Sequence, residues 1–183
     1  MVALISPMGL ILGSWFLLFL MFSGLGLIVQ RVLRQPTHTG SLWLDAFWLG
    51  WALSLLVLQL WHFVFPVNDS IFVLFLLIGL ASLVSQRHSL MVIVRRFKQY
   101  RLFIVIFAVM LLWMSNRAID MPTAFDTGFR DIQAVMWLDT YPIVPGLNNL
   151  FSSLAFNQSV YLYDALLDVS IWSGRAYHIA TGL

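Results

Sequence analysis

From Met8 to Val29 the chain carries no charged side chain, and no other feature restricts its possible folds as much. As an α-helix, such a run is long enough to cross the roughly 30 Å of a hydrocarbon core at about 1.5 Å per residue. Lipid offers no hydrogen bonds to the backbone, which leaves helices or a closed barrel. Runs this long and this uniformly apolar lack the alternation of barrel strands. The expected fold class is therefore all-α, a polytopic transmembrane helix bundle. Composition agrees: 61% of the residues are hydrophobic, 10% are charged and the mean hydropathy is +0.89, outside the range of soluble domains. A cleaved signal peptide would place basic residues before its apolar run, whereas Arg31 and Arg34 follow this one, so the segment is expected to be retained.

Three further spans are expected. The second runs from about Ser41 to Phe65, with Asp45 near its start and Pro66 after it. The third runs from about Ser70 to Ser85. The fourth, Leu102 to Asn116, is short and lies between Arg101 and Arg117, which must snorkel or sit where the bilayer thins. Within the first span, "GLILG" (Gly9 to Gly13) has the spacing of a small-residue helix contact, or of ordinary packing. Asp45 and His62 are ionisable groups near the ends of the second span and are expected at an interface.

Arginine and lysine set the orientation. Arg31 and Arg34 lie between spans one and two; Arg87, Arg95, Arg96, Lys98 and Arg101 lie between spans three and four; the turn "PVNDS" has none. By the positive-inside rule both basic loops face the cytoplasm, so the N-terminus is expected outside. The second basic loop is a topology determinant that could also touch anionic lipid. Basic residues flanking apolar spans do not describe a nucleic-acid surface. Two regions follow: residues 1–116 with four spans, and residues 117–183 as an extracytoplasmic loop. That loop holds six of the eight Asp residues and three arginines, so chemistry is expected there. The absence of cysteine removes disulfides, Cys-based zinc sites and thiol nucleophiles.

Within the loop, Phe129, Ile132, Val135 and Met136 recur at helical spacing, with Trp137 and Tyr141 placed as interface aromatics. This predicts an amphipathic interfacial helix bounded by Asp126 or Thr127 as N-cap and by Pro142. "YPIVPGLNNLFSSLAFNQS" follows, uncharged and rich in amides, hydroxyls and turn residues. Such a stretch serves as a wall for a polar uncharged ligand or as a loop that satisfies its own backbone. A second helix is predicted from about Ser159, ending or bending at Ser173-Gly174. Asp164 and Asp168, four apart, share a face with Tyr161 a turn earlier and Arg175 two turns later. Two carboxylates at that spacing could hold a divalent cation, though no third oxygen-rich group or His completes a site; a polar stripe is the other reading. The chain finishes on an apolar rise, "RAYHIATGL", and is expected to continue into further spans.

The order "FDTGFRDIQAVMWLDTYPIVPGLNNLFSSLAFNQS", followed by "WSGRAYH", resembles the first large outer loop of a group of uncharacterised bacterial multi-spanning proteins related to the GT-C type glycosyltransferases. The resemblance covers about Asp126 to His178. Asp126, Thr127, Trp137, Val144 to Leu147, Asn149, Leu150, Phe156, Asn157 and Ser159 fit the pattern. Arg130 and Asp131 replace an aromatic-His pair, and Phe151 and Ser153 stand where a His and an Arg are expected. The resemblance implies a bacterial plasma-membrane enzyme that passes a sugar from a polyprenyl-phosphate donor to an acceptor on the outer face. Asp126 would be the general base or acceptor-orienting group. Arg130, Asn149, Asn157, Arg175 and His178 would contact substrate, with Arg130 or Arg175 neutralising the phosphate. The implied partners are a lipid-linked sugar and membrane lipids. A non-catalytic docking subunit and a polysaccharide polymerase or ligase remain as alternatives.

Overall fold

A computed structural model describes residues 2–34, 42–86, 101–120, 131–150, 158–169 and 172–180. All regular structure among them is helical. Four apolar helices come first: α1 (Val2–Val32), α2 (Leu42–His62), α3 (Asp69–Ser85) and α4 (Arg101–Arg117). Four shorter ones follow: α5 (Ile132–Thr140), α6 (Leu147–Leu150), α7 (Ser159–Leu167) and α8 (Ala176–Ala180). Two helices are long and apolar enough to cross a membrane, over Pro7–Val32 and Leu44–His62; Asp69–Ser85 and Leu102–Arg117 are shorter apolar helices.

The helix ends follow from local chemistry. Arg34, at φ 52°, closes α1 in the left-handed region, and its N–H donates to Arg31 O over 3.2 Å. The turn after α2 is held by the Trp61 indole N–H, which donates to Pro66 O over 2.9 Å. Asn68 then caps α3, its side-chain oxygen accepting from Ser70 N at 3.2 Å, and Asp69 sits in the positive first turn.

Helix α1 lies at the centre, packed along α2 and α3 and touching α4 and α8. Its contacts with α2 and α3 are backbone to backbone. A Cβ on Gly24 would overlap the Gly79 carbonyl, one on Gly26 the Ala46 carbonyl, and one on Gly50 the Phe22 carbonyl. The small-residue contact is thus made here, and not at Gly9 and Gly13, where a Cβ would meet nothing within 4 Å. Of the two readings of "GLILG", the helix contact is not the one this structure makes. Helix α4 reaches the apolar core through Leu111 and Met114, with Ala118 just beyond its end, while every residue from Leu102 to Met110 is exposed.

Helices α5 and α8 lie at the end where α1 begins, α2 ends and α3 starts, and α7 packs on both of them and reaches along the bundle to Phe22 and Trp51. Val67 N donates to Leu138 O at 2.9 Å and Ile143 N to His62 O at 3.0 Å. We call this assembly the cap. It covers His62, which is 1% exposed, whereas Asp45 is exposed. Helix α5 ends before Pro142 as predicted, and its start at Ile132 follows the undescribed residues 121–130, where the expected N-caps lie. Its buried face is Ala134, Val135 and Leu138; Ile132 and Met136 point outward.

Helix α7 differs most from expectation. It ends at Leu167, not near Ser173, because Asp168 turns back to accept the Gly174 N–H over 2.6 Å and Gly174 adopts φ +71°. Arg175 therefore leaves the helical face assigned to Asp164 and Asp168. Leu162, Leu166 and Leu167 are fully buried, and Tyr163 packs its ring on Phe22 of α1 and Trp51 of α2 at centroid distances of 6.3 and 6.1 Å. The cap and the three long helices thereby share one apolar core.

Candidate functional site

Two groups of side chains at the cap could do chemistry. The first surrounds a cleft of about 260 Å³ between the start of α1, the segment after α4, and α8. Pro7, Leu10, Ile11 and Trp172 give it apolar walls, and Arg175 and His178 supply its ionisable groups. Helix α8 is fixed there from both sides. The Trp15 indole N–H donates to Ile179 O at 2.8 Å, and His178 Nδ1 bonds to Ala118 O. A carbonyl only accepts, so Nδ1 is the donor in this bond. Ser14 also lines the cleft, but its hydroxyl is used within its own helix, donating to Leu10 O at 2.8 Å. Arg175 is exposed and makes no ion pair with a described residue. An exposed guanidinium beside an apolar cleft suits an amphiphile with an anionic head.

The second group is acidic. The Tyr161 hydroxyl donates to Asp131 Oδ1 at 2.7 Å, joining α7 to the start of α5. Burial, and then the charge of Asp131, push the nearby Asp164 carboxyl up to about 6. Asp139 is also raised, by burial first and then by Asp168 and Asp69. Next to Asp164, burial holds the Tyr163 phenol well above its ordinary value, and its hydroxyl has no partner among the described residues. A carboxyl that changes charge near neutral pH can take up or release a proton. Among the described residues no group of three or more His, Asp or Glu side chains could hold a metal ion, so the Asp164–Asp168 pair does not grow into a cation site there.

Sequence comparison matches residues 8–183 to a family described as a domain of unknown function, DUF8201. The chain belongs to the DUF8201 family. No curated protein and no solved structure matches it.

In this DUF8201 chain, Arg175 and His178 line the same cleft. Asn149 lies elsewhere, exposed on α6, its backbone N–H donating to Gly146 O at 2.9 Å. Asp126, Arg130 and Asn157 lie outside the described residues. The bond from Tyr161 to Asp131 was not foreseen. Asp131 drew notice in the sequence only as a departure from a motif, and no local pattern links residues 30 positions apart. Trp172 as a cleft wall was likewise unmarked; the aromatic-Ser-Gly turn around it was the available signal.

Proposed function

We propose that this DUF8201 chain is a multi-pass protein of the bacterial plasma membrane with its N-terminus outside, in which α1 to α4 cross the bilayer and the cap lies on the outer face. On this reading it is a GT-C-like glycosyltransferase that takes a sugar from a polyprenyl-phosphate donor. The support for a membrane setting is the apolar surface left open along the helices, including Leu56, Leu60, Leu77 and Leu102 to Met110. The observation that carries the transferase reading is the cleft, where Arg175 and His178 stand over apolar walls. The acceptor hydroxyl attacks the anomeric carbon of the donor and the sugar–phosphate bond breaks. Arg175 neutralises the departing polyprenyl phosphate, and Asp126 takes the hydroxyl proton.

The test is transfer of a labelled sugar from polyprenyl-phosphate donors in membranes holding the full chain. Arg175→Gln and Asp126→Asn should each lower transfer by about 100-fold or more with insertion unchanged. Full activity in Asp126→Asn would remove it as the base; no transfer by the wild type with any donor would remove the reading. A second reading, a non-catalytic subunit, is favoured by α4, whose exposed run from Leu102 to Met110 offers a face for another membrane protein.

A further inference from the structure

We propose that the end of the bundle opposite the cap holds one anionic glycerophospholipid in a groove between α1 and α3. The inference rests on the membrane-spanning reading and is independent of the transferase reading. The two helices meet backbone to backbone where Gly24 faces Gly79. Beyond that contact a groove of about 330 Å³ opens between them. Ile28 of α1 and Ile78 and Ala81 of α3 form its apolar part, and Arg31, Ser85 and Gln86 lie at its outer rim, where both helices end. Arg31 is exposed and makes no ion pair with a described residue. Ser82 also lines the groove, with a hydroxyl oxygen shut off from solvent and without a hydrogen-bond partner among the described residues.

The chemistry favours a lipid over a free anion. Both helices turn their C-terminal, negative ends toward this rim, which by itself repels a phosphate. Arg31 offsets that repulsion with a fork of donors matched to phosphate oxygens, and Ser85 and Gln86 add neutral donors. A small anion gains nothing from Ile28, Ile78 and Ala81. A glycerophospholipid lays its acyl chains along them and brings its phosphodiester to the level of Arg31, as basic pockets between helices do on the cytoplasmic side of membranes. The positive-inside orientation puts this end in the cytoplasmic leaflet.

The full chain would be placed in nanodiscs of equimolar phosphatidylglycerol and phosphatidylcholine, then released for native mass spectrometry. Expected for the wild type is retention of phosphatidylglycerol over phosphatidylcholine by about tenfold. Arg31→Gln should abolish that preference and Arg31→Lys keep part of it. Ala81→Trp, which fills the groove from an exposed position and leaves Arg31 in place, should lose the lipid as well. Equal retention of the two lipids by the wild type overturns the proposal, as does an unchanged preference in both Arg31→Gln and Ala81→Trp. Displacement of the bound lipid by glycerol phosphate, which has no acyl chains, overturns it too. Failure of the chain to enter the nanodisc overturns the membrane reading itself and is a separate result.

Discussion

Tyr161 gives its phenolic hydrogen to Asp131 across 2.7 Å, and this bond ties the buried helix α7 to the start of α5. A hydrogen bond to a charged acceptor contributes about 1.5–3 kcal/mol. Tyr161→Phe keeps the buried ring and deletes the donor, so it should destabilise the cap by that amount and speed amide exchange in α5 and α7. Hydrogen exchange of the detergent-solubilised chain reads this directly. Unchanged protection in both helices would mean that the bond contributes nothing to holding them.

The pH dependence of stability has a defined sign at Asp164. Its folded-state carboxyl titrates at about 6, raised from 3.8 by burial and then by Asp131. Between those values the folded chain holds a proton that the unfolded chain has released, so this group's contribution makes stability fall as pH rises from about 4 to 6. The full effect is at most about 3 kcal/mol, reduced by solvent screening at this half-buried position. Asp164→Asn should flatten that part of the profile in thermal melts from pH 4 to 7. A wild-type profile that rises through the window would contradict the assignment.

Glycine substitutions should split by sign. At Gly26 and Gly50 an added methyl meets a carbonyl of the neighbouring helix, and overpacking of this kind costs about 1–3 kcal/mol or more. At Gly9 and Gly13 the methyl meets nothing, and replacing a helical glycine with alanine stabilises by about 0.5–1 kcal/mol. Melting of the four single Gly→Ala variants would show two lowered and two raised temperatures; a uniform response would place the helix contact elsewhere.

The native chain contains no cysteine, so single cysteines report topology without background. Ser70 and Ser85, at opposite ends of α3, are both exposed. In intact cells Ser70→Cys should react with a membrane-impermeant maleimide, and Ser85→Cys should react only after permeabilisation. The reverse pattern would invert the topology and move the cap to the cytoplasmic side.

The apolar helices were legible because composition and charge-free length set them. The observed bounds of α2, Leu42–His62, fall inside the expected Ser41 to Phe65, shortened because the residues after His62 fold into a turn closed by Trp61 on Pro66. What was not legible depends on which side of a helix meets a neighbour. "GLILG" has the four-residue spacing associated with helix contacts, yet the close approaches are made by Gly24 and Gly26, two apart, the first against Gly79 of α3 and the second against Ala46 of α2. Helix α7 was read as a polar stripe through Asp164 and Asp168, whereas Tyr161, Leu162, Tyr163 and Leu166 drive its burial. Of the candidate site, Arg175 and His178 could be named in advance, but their joint placement depends on α8 being held by Trp15 and Ala118, far away along the chain.

The bond from Trp15 to Ile179 joins residues 164 positions apart. A ribosome adding about 5–20 residues per second makes the indole on the order of ten to thirty seconds before the carbonyl that receives it. During that interval the wall of the cleft that α8 supplies does not exist, and α1 must wait with part of its surface uncovered. Closing of the cleft is therefore a late event in biogenesis, and a nascent chain stalled before Ile179 would lack that wall of the cleft.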